Sequence, residues 1–160
     1  MRTRAKICGI TRIQDIQSVV QAGADAIGFV FYPPSPRNIT LEQAKVLVKH
    51  VPAYVQTVGL FVNATGDEIA KVLQQVPLDM IQFHGDESPE ACLAATAQGA
   101  RPYLRAARIP LGDGALRFDL VKYAHDHSHA QAILLDAHVD GYGGGGKAFN
   151  WSLLPPSVDS

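Results

Sequence analysis

Ala5-Lys6-Ile7-Cys8-Gly9-Ile10-Thr11-Arg12, near the start of the chain, decides between two folds. Successive side chains of a strand point to opposite faces, so Lys6 and Cys8 share one face while Ala5, Ile7 and Gly9 take the other. The residues after the strand are the deciding ones. An open sheet that binds a dinucleotide carries a glycine fingerprint at this first strand-to-helix turn, and Cys8-Gly9-Ile10-Thr11-Arg12 lacks it. The strand instead delivers a thiol to its C-terminal end, with an amine on the same face. A neighbouring ammonium favours the thiolate, so the stretch predicts that Cys8 is a base that moves protons.

Outward from that strand the chain alternates. Residues 15–22 have apolar side chains at helical spacing and are closed by Gly23, while 25–31 is an apolar run suited to a strand covered on both faces. The same reading gives helices over 42–48 after Thr40, 66–76, 88–98 and 116–123, and strands over 55–62, 79–84, 101–107 and 132–136. Ser88 and Pro89 are expected as N-cap and first residue of their helix. Six apolar strands separated by helices are parallel β/α units. The polar residues gather at strand ends: Cys8, the loop from Pro33 to Arg37, Asn63, His84, Arg105 and Asp136. Barrel enzymes place their chemistry there, so the predicted fold class is α/β, a parallel (β/α)8 TIM barrel with about six of its eight units present. Residues 1–160 are expected to form a single, C-terminally incomplete barrel domain. Its first and sixth strands would then be open edges.

Composition narrows the function classes. Fourteen basic residues against fifteen acidic ones, with no basic block, argue against nucleic acid. No long apolar run follows the N-terminus, so neither a signal peptide nor a membrane span is expected, and the predicted location is cytoplasmic. Two cysteines are too few for a disulfide framework, and Cys92 among alanines and leucine reads as core filler. His125, His127 and His129 alternate in a polar segment with no carboxylate or cysteine pattern beside them to complete a metal site, and read as a solvated connection.

Six motifs in order carry a resemblance. Lys6-Ile7-Cys8-Gly9-Ile10-Thr11, Gly28-Phe-Val-Phe-Tyr-Pro-Pro-Ser-Pro-Arg37, Val58-Gly-Leu-Phe-Val-Asn63, Gln82-Phe-His-Gly85, Leu134-Leu-Asp136 and Gly143-Gly-Gly-Gly-Lys-Ala-Phe-Asn-Trp151 together resemble the phosphoribosylanthranilate isomerases of tryptophan biosynthesis. The likeness runs over the whole chain, with Gly145 and Asn150 standing where Thr or Ser and Asp are common. It implies a (β/α)8 barrel and an Amadori rearrangement that uses no cofactor and no metal. Cys8 matches the general base, Asp136 the general acid, and Arg37 the residue that grips the anthranilate carboxylate. An acid at Asp136 has to hold its proton near neutrality, which desolvation at the end of an apolar strand would favour.

Lys6, Arg37, His84, Gly143 and Gly144 are the expected substrate-binding residues, with the glycine run as a lid. Four glycines before Lys147 do not form a nucleotide loop. The expected partner is a small-molecule substrate, with no nucleic acid or membrane, in a monomer or homodimer. In the resembling family the last two loops hold the substrate phosphate, and the expectation is that the 160-residue chain alone has little activity. Two rival readings are another sugar-phosphate barrel, such as a metal-dependent epimerase, and an inactive fragment that associates through open sheet edges. The epimerase would want several His and carboxylate ligands at strand ends, where only His84 and Asp136 qualify.

Overall fold

The structure, a computed structural model, describes residues 2–112, 117–138, 142 and 148–151. Among the described residues six strands alternate with five α-helices: β1 (Lys6–Cys8), α1 (Ile13–Gln21), β2 (Ala26–Phe31), α2 (Leu41–Leu47), β3 (Gln56–Phe61), α3 (Gly66–Leu73), β4 (Met80–Phe83), α4 (Pro89–Ala95), β5 (Tyr103–Ile109), α5 (Leu120–Asp126) and β6 (Ala132–Ala137). All strands are parallel, in the order β1-β2-β3-β4-β5-β6, so each unit lies beside the one before it. Among the described residues β1 and β6 are the edges of this sheet.

Local sequence sets the element ends. Thr40 and Thr65 start α2 and α3 with reciprocal capping boxes to Gln43 and Glu68, and the Ser88 side chain accepts from the Ala91 N–H ahead of Pro89. Each such cap satisfies an amide that the first helical turn leaves unpaired. Gly23, at φ +86°, ends the first unit beyond α1. The fifth helix starts later than the spacing predicts, at Leu120, because the Asp119 carboxylate accepts from the Lys122 N–H at 2.8 Å and caps it there.

The register divides the strand residues between two faces. Ile27, Phe29, Phe61, Ile81, Phe83 and Tyr103 face the helices and make two buried cores, one under α1 and α2, the other under α3 and α4. The opposite face is filled in layers: Ala26, Val58, Met80 and Leu104 at one level, Val30, Leu60 and Val62 nearer the strand ends. Stacked layers of this kind are the packing of a barrel interior.

Two sequence expectations are corrected here. Arg105 was expected on the polar rim with His84, but it pairs in register with Phe83 and so faces the helices, while Leu104 pairs with Gln82. Its guanidinium is buried and donates to the carbonyls of Phe83, Gly85 and Glu87 while pairing with the Glu87 carboxylate at 3.3 Å. His127 is not in a solvated connection either. It is 5% exposed, its ring 4.7 Å from that of Tyr123, since α5 folds its C-terminal turn back onto the sheet. Among the described residues no group of three His, Cys, Asp or Glu side chains is placed to hold a metal ion, and no helix is long and apolar enough to cross a membrane.

Candidate active site

At the C-terminal ends of the strands lies a cavity of about 290 Å³, lined by Lys6, Cys8, Val30, Tyr32, Ser35, Arg37, Leu60, Gln82, His84, Leu134, Asp136 and Tyr142. Residues from β1 and β6, the two sheet edges, face this one space. The five predicted site residues among the described ones, Lys6, Cys8, Arg37, His84 and Asp136, all line it. Gly143 and Gly144 lie outside the described residues. Asn63, grouped with the strand-end residues in the sequence, ties loops together instead: its amide donates to the Tyr142 hydroxyl at 3.0 Å and accepts from the Asp86 N–H at 2.7 Å.

The thiol is placed by two glycines. A Cβ on Gly28 would lie 2.7 Å from Cys8 Sγ, so only glycine at the paired position of β2 leaves room for the sulfur. Gly9 has φ +87°, and a Cβ there would lie 2.5 Å from Arg37 Cδ. Its absence lets the Arg37 side chain lie across the end of β1, where Nη1 donates to the Cys8 carbonyl at 3.1 Å. Ser35 Oγ accepts from the Arg37 N–H at 3.2 Å, fixing the loop that carries the guanidinium. Cys92 shows the contrast: on the inner face of α4 it is fully buried, and desolvation pushes its thiol up to about 11.

On the other wall a hydrogen-bonded chain runs from β4 to β6. Gln82 Nε2 donates to His84 Nδ1 at 2.8 Å. With Nδ1 accepting from Gln82, Nε2 is the ring nitrogen left to donate to Asp136 Oδ2, at 2.9 Å. One carboxylate oxygen is thereby held by the ring, and the other remains for a proton. Gln82 Oε1, buried in the same wall, has no hydrogen-bond partner among the described residues.

Sequence reasoning missed Arg108 and Tyr142, and it put Gln82 on the polar face with His84 without giving it a role. Arg108 pairs in register with Asp136 and shares its face, as period two from Leu104 and Ala106 shows once that face is known. Its guanidinium stacks 4.3 Å from the Tyr142 ring centroid and lies 3.4 Å from Asp86 Oδ1. Tyr142 OH donates to Asp86 Oδ2 at 2.6 Å, which holds the Asp86 carboxyl below the usual range and raises the phenol. No sequence pattern marks Tyr142, whose partners come from three different loops or strands.

Lining one cavity with a thiol beside an amine, a carboxyl hydrogen-bonded to an imidazole, and a guanidinium fork suits proton transfers on a small anionic substrate. The comparisons agree. The family model for N-(5'phosphoribosyl)anthranilate (PRA) isomerase matches residues 5–160. An N-(5'-phosphoribosyl)anthranilate isomerase of Leptothrix cholodnii is 54% identical over 157 residues, covering 98% of this chain and 67% of its own. The crystal structure of phosphoribosyl anthranilate isomerase from Thermotoga maritima superposes with a TM-score of 0.78 at 38% identity, over 95% of this chain and 70% of that one. A further phosphoribosyl anthranilate isomerase, 30% identical with a TM-score of 0.67, covers 86% of this chain and 77% of its own, and was solved in complex with reduced 1-(o-carboxyphenylamino)-1-deoxyribulose 5-phosphate. The chain thus spans about two thirds of the length of the Leptothrix relative. Six parallel strands in sequence order, a thiol and a carboxyl at one barrel mouth, and these likenesses place the chain in the N-(5'-phosphoribosyl)anthranilate isomerase family.

Proposed function

We propose that the mouth cavity converts N-(5'-phosphoribosyl)anthranilate into 1-(2-carboxyphenylamino)-1-deoxyribulose 5-phosphate, a step of tryptophan biosynthesis, with Asp136 as acid and Cys8 as base. The observation that supports this most is the convergence of Cys8, Arg37, His84 and Asp136 on one 290 Å³ space. Asp136 gives its proton to the furanose ring oxygen; the bond from that oxygen to C1 breaks, and the aniline nitrogen supplies electrons to form an iminium. The Cys8 thiolate then takes the C2 proton, and the released pair neutralises the iminium as an enolamine. Protonation at C1 and loss of the enol proton give the ketone, so the atoms of substrate and product are the same.

His84 orients the Asp136 carboxyl through its Nε2 donor. Arg37, free to reach into the cavity past Gly9, takes the anthranilate carboxylate, for which a guanidinium fork is shaped. Lys6, on the same face as Cys8, supplies positive charge to the thiolate and the substrate anion. The protein acts in the cytoplasm as a monomer or homodimer.

A chain extended to the full length of its relatives is assayed with freshly formed phosphoribosylanthranilate, alongside its Cys8→Ala and Asp136→Asn variants. Each variant is expected to lose about 10²- to 10⁴-fold in turnover, the ordinary contribution of one positioned acid or base, while unfolding at the wild-type temperature. Turnover within a few-fold of wild type in either variant removes that residue from the mechanism.

A further inference from the structure

The chemistry above uses the thiol, the carboxyl and the cations of the mouth, and gives no part to two tyrosines of its wall. Tyr32, in the loop after β2, and Tyr142, in the loop after β6, both line the cavity. Their rings meet edge to face, with centroids 5.7 Å apart and planes at 82°. Both pack against the layer of Val30, Leu60 and Val62, so this part of the wall is apolar and aromatic.

Residues that do not line the cavity fix the Tyr142 ring. Its hydroxyl donates to Asp86 Oδ2 at 2.6 Å and accepts from Asn63 Nδ2 at 3.0 Å, and the Arg108 guanidinium lies 4.3 Å from the ring centre. The Asn63 side of this arrangement is built with care. Asn63 stands at φ +51°, a conformation that Asn adopts more readily than most side chains, and its Oδ1 accepts from the Asp86 N–H at 2.7 Å. Gly85 makes room for it, since a Cβ there would overlap that same Oδ1. Asn63, Gly85 and Asp86 thus converge on one phenol. An aromatic side chain held in this way has little freedom left to lose when a ligand arrives, which favours affinity.

We infer that Tyr142, with Tyr32, receives the benzene ring of the substrate and makes the site selective for N-aryl over N-alkyl sugar phosphates, Asn63 and Asp86 being positioning residues for the Tyr142 ring. The inference rests on the reading of the mouth given above, in which the sugar carbons lie between Cys8 and Asp136 and the carboxylate goes to Arg37. The benzene ring carries that carboxylate on one carbon and the amine nitrogen on the next, so it is held on the Arg37 side of the sugar. Tyr32 belongs to the same loop as Arg37, five residues before it, and Tyr142 meets Tyr32 from the other edge of the sheet. An aliphatic ring of similar size would be buried as well there, but an aromatic ring also gains edge-to-face contact with the two phenols.

The test is a calorimetric titration of the chain extended to the full length of its relatives. Two ligands are compared: reduced 1-(o-carboxyphenylamino)-1-deoxyribulose 5-phosphate, and the same compound with its benzene ring saturated to cyclohexane. Tyr142→Leu is expected to weaken the aryl ligand about 2- to 10-fold more than the saturated one, the factor an aromatic pair contributes beyond burial. Asn63→Gly, which accepts the φ +51° backbone without strain, is expected to lower the same aryl preference in part, and to leave it unchanged in the Tyr142→Leu background. Equal weakening of both ligands by Tyr142→Leu overturns the aryl wall even where both still bind. An Asn63→Gly effect undiminished in the Tyr142→Leu background overturns the positioning role. Binding of neither ligand to the unsubstituted extended chain would instead bring down the reading of the mouth, and this inference with it.

Discussion

Arg105 and Arg108 stand three residues apart on β5, and the odd spacing sends them to opposite sides of one sheet. On the helix side Arg105 is buried, its partners are three backbone carbonyls and the equally buried Glu87, and that carboxylate also accepts from the N–H groups of Asn63 and Gly85. The pair is a post under the loops that follow β3 and β4. At the mouth the Arg108 guanidinium reaches the largely exposed Asp86 carboxylate and the Tyr142 ring. Backbone partners cannot move without unfolding a loop, whereas side-chain partners can exchange. The same residue type therefore ties loop backbone together on one face and meets side chains of the mouth on the other.

That contrast sets the order of expected effects. Glu87→Ala leaves the Arg105 charge buried without its counterion, a situation that costs about 3–5 kcal/mol, read as a lower urea midpoint. Arg108→Gln in the same measurement is expected to cost less than Glu87→Ala, because its Asp86 partner is 66% exposed and stays solvated when the cation is removed. Equal losses in the two variants would erase the distinction between the faces.

Gly28→Ala tests the mouth from within. The new Cβ has to displace Cys8 Sγ or the strand behind it, an overpacking of about 1–3 kcal/mol. It should also cut turnover well beyond what that loss of stability explains, because the sulfur moves.

The smallest effect concerns His127, again on the scaffold side. Burial lowers its imidazole from the ordinary 6.5, with the Arg105 charge adding to the effect, and its Nδ1 has no hydrogen-bond partner among the described residues. Between the depressed folded value and 6.5 the unfolded chain binds more protons than the folded one, so stability falls as pH is lowered through that window. His127→Phe should flatten the decline in melting temperature between about pH 7 and 5. An unchanged slope would mean that the ring does not titrate on unfolding.

Much of this molecule can be read from its residues. The order and kind of the elements follow from apolar runs spaced by capped helices, and Cys8, Arg37, His84 and Asp136 are legible because each ends a strand or sits in a stiffened loop. The misplacement of Arg105 has a physical origin. β5 reads Tyr-Leu-Arg-Ala-Ala-Arg-Ile and is buried on both faces, so alternation of polarity, the usual guide to which face is which, is absent. Only the register with Phe83 settles it. His127 escaped for a similar reason, since a polar neighbourhood in sequence says nothing about a helix turn folding onto an arginine and a tyrosine. Tyr142 draws its partners from Asn63, Asp86 and Arg108, all far away in the chain, and no local pattern encodes such a meeting.

The account rests on Cys8 and Asp136 serving one sugar at the mouth. It is tested most directly by a crystal structure of this chain with reduced 1-(o-carboxyphenylamino)-1-deoxyribulose 5-phosphate. The expected density fills the cavity bounded by Arg37 and His84, with the Cys8 sulfur and the Asp136 carboxyl both against the sugar carbons and the aryl carboxylate on Arg37. Ligand seated instead in the larger cavity at the opposite ends of the strands, lined by Arg4, Asp25, Thr57 and Asp79, or bound at the mouth with either side chain turned from the sugar, would contradict it.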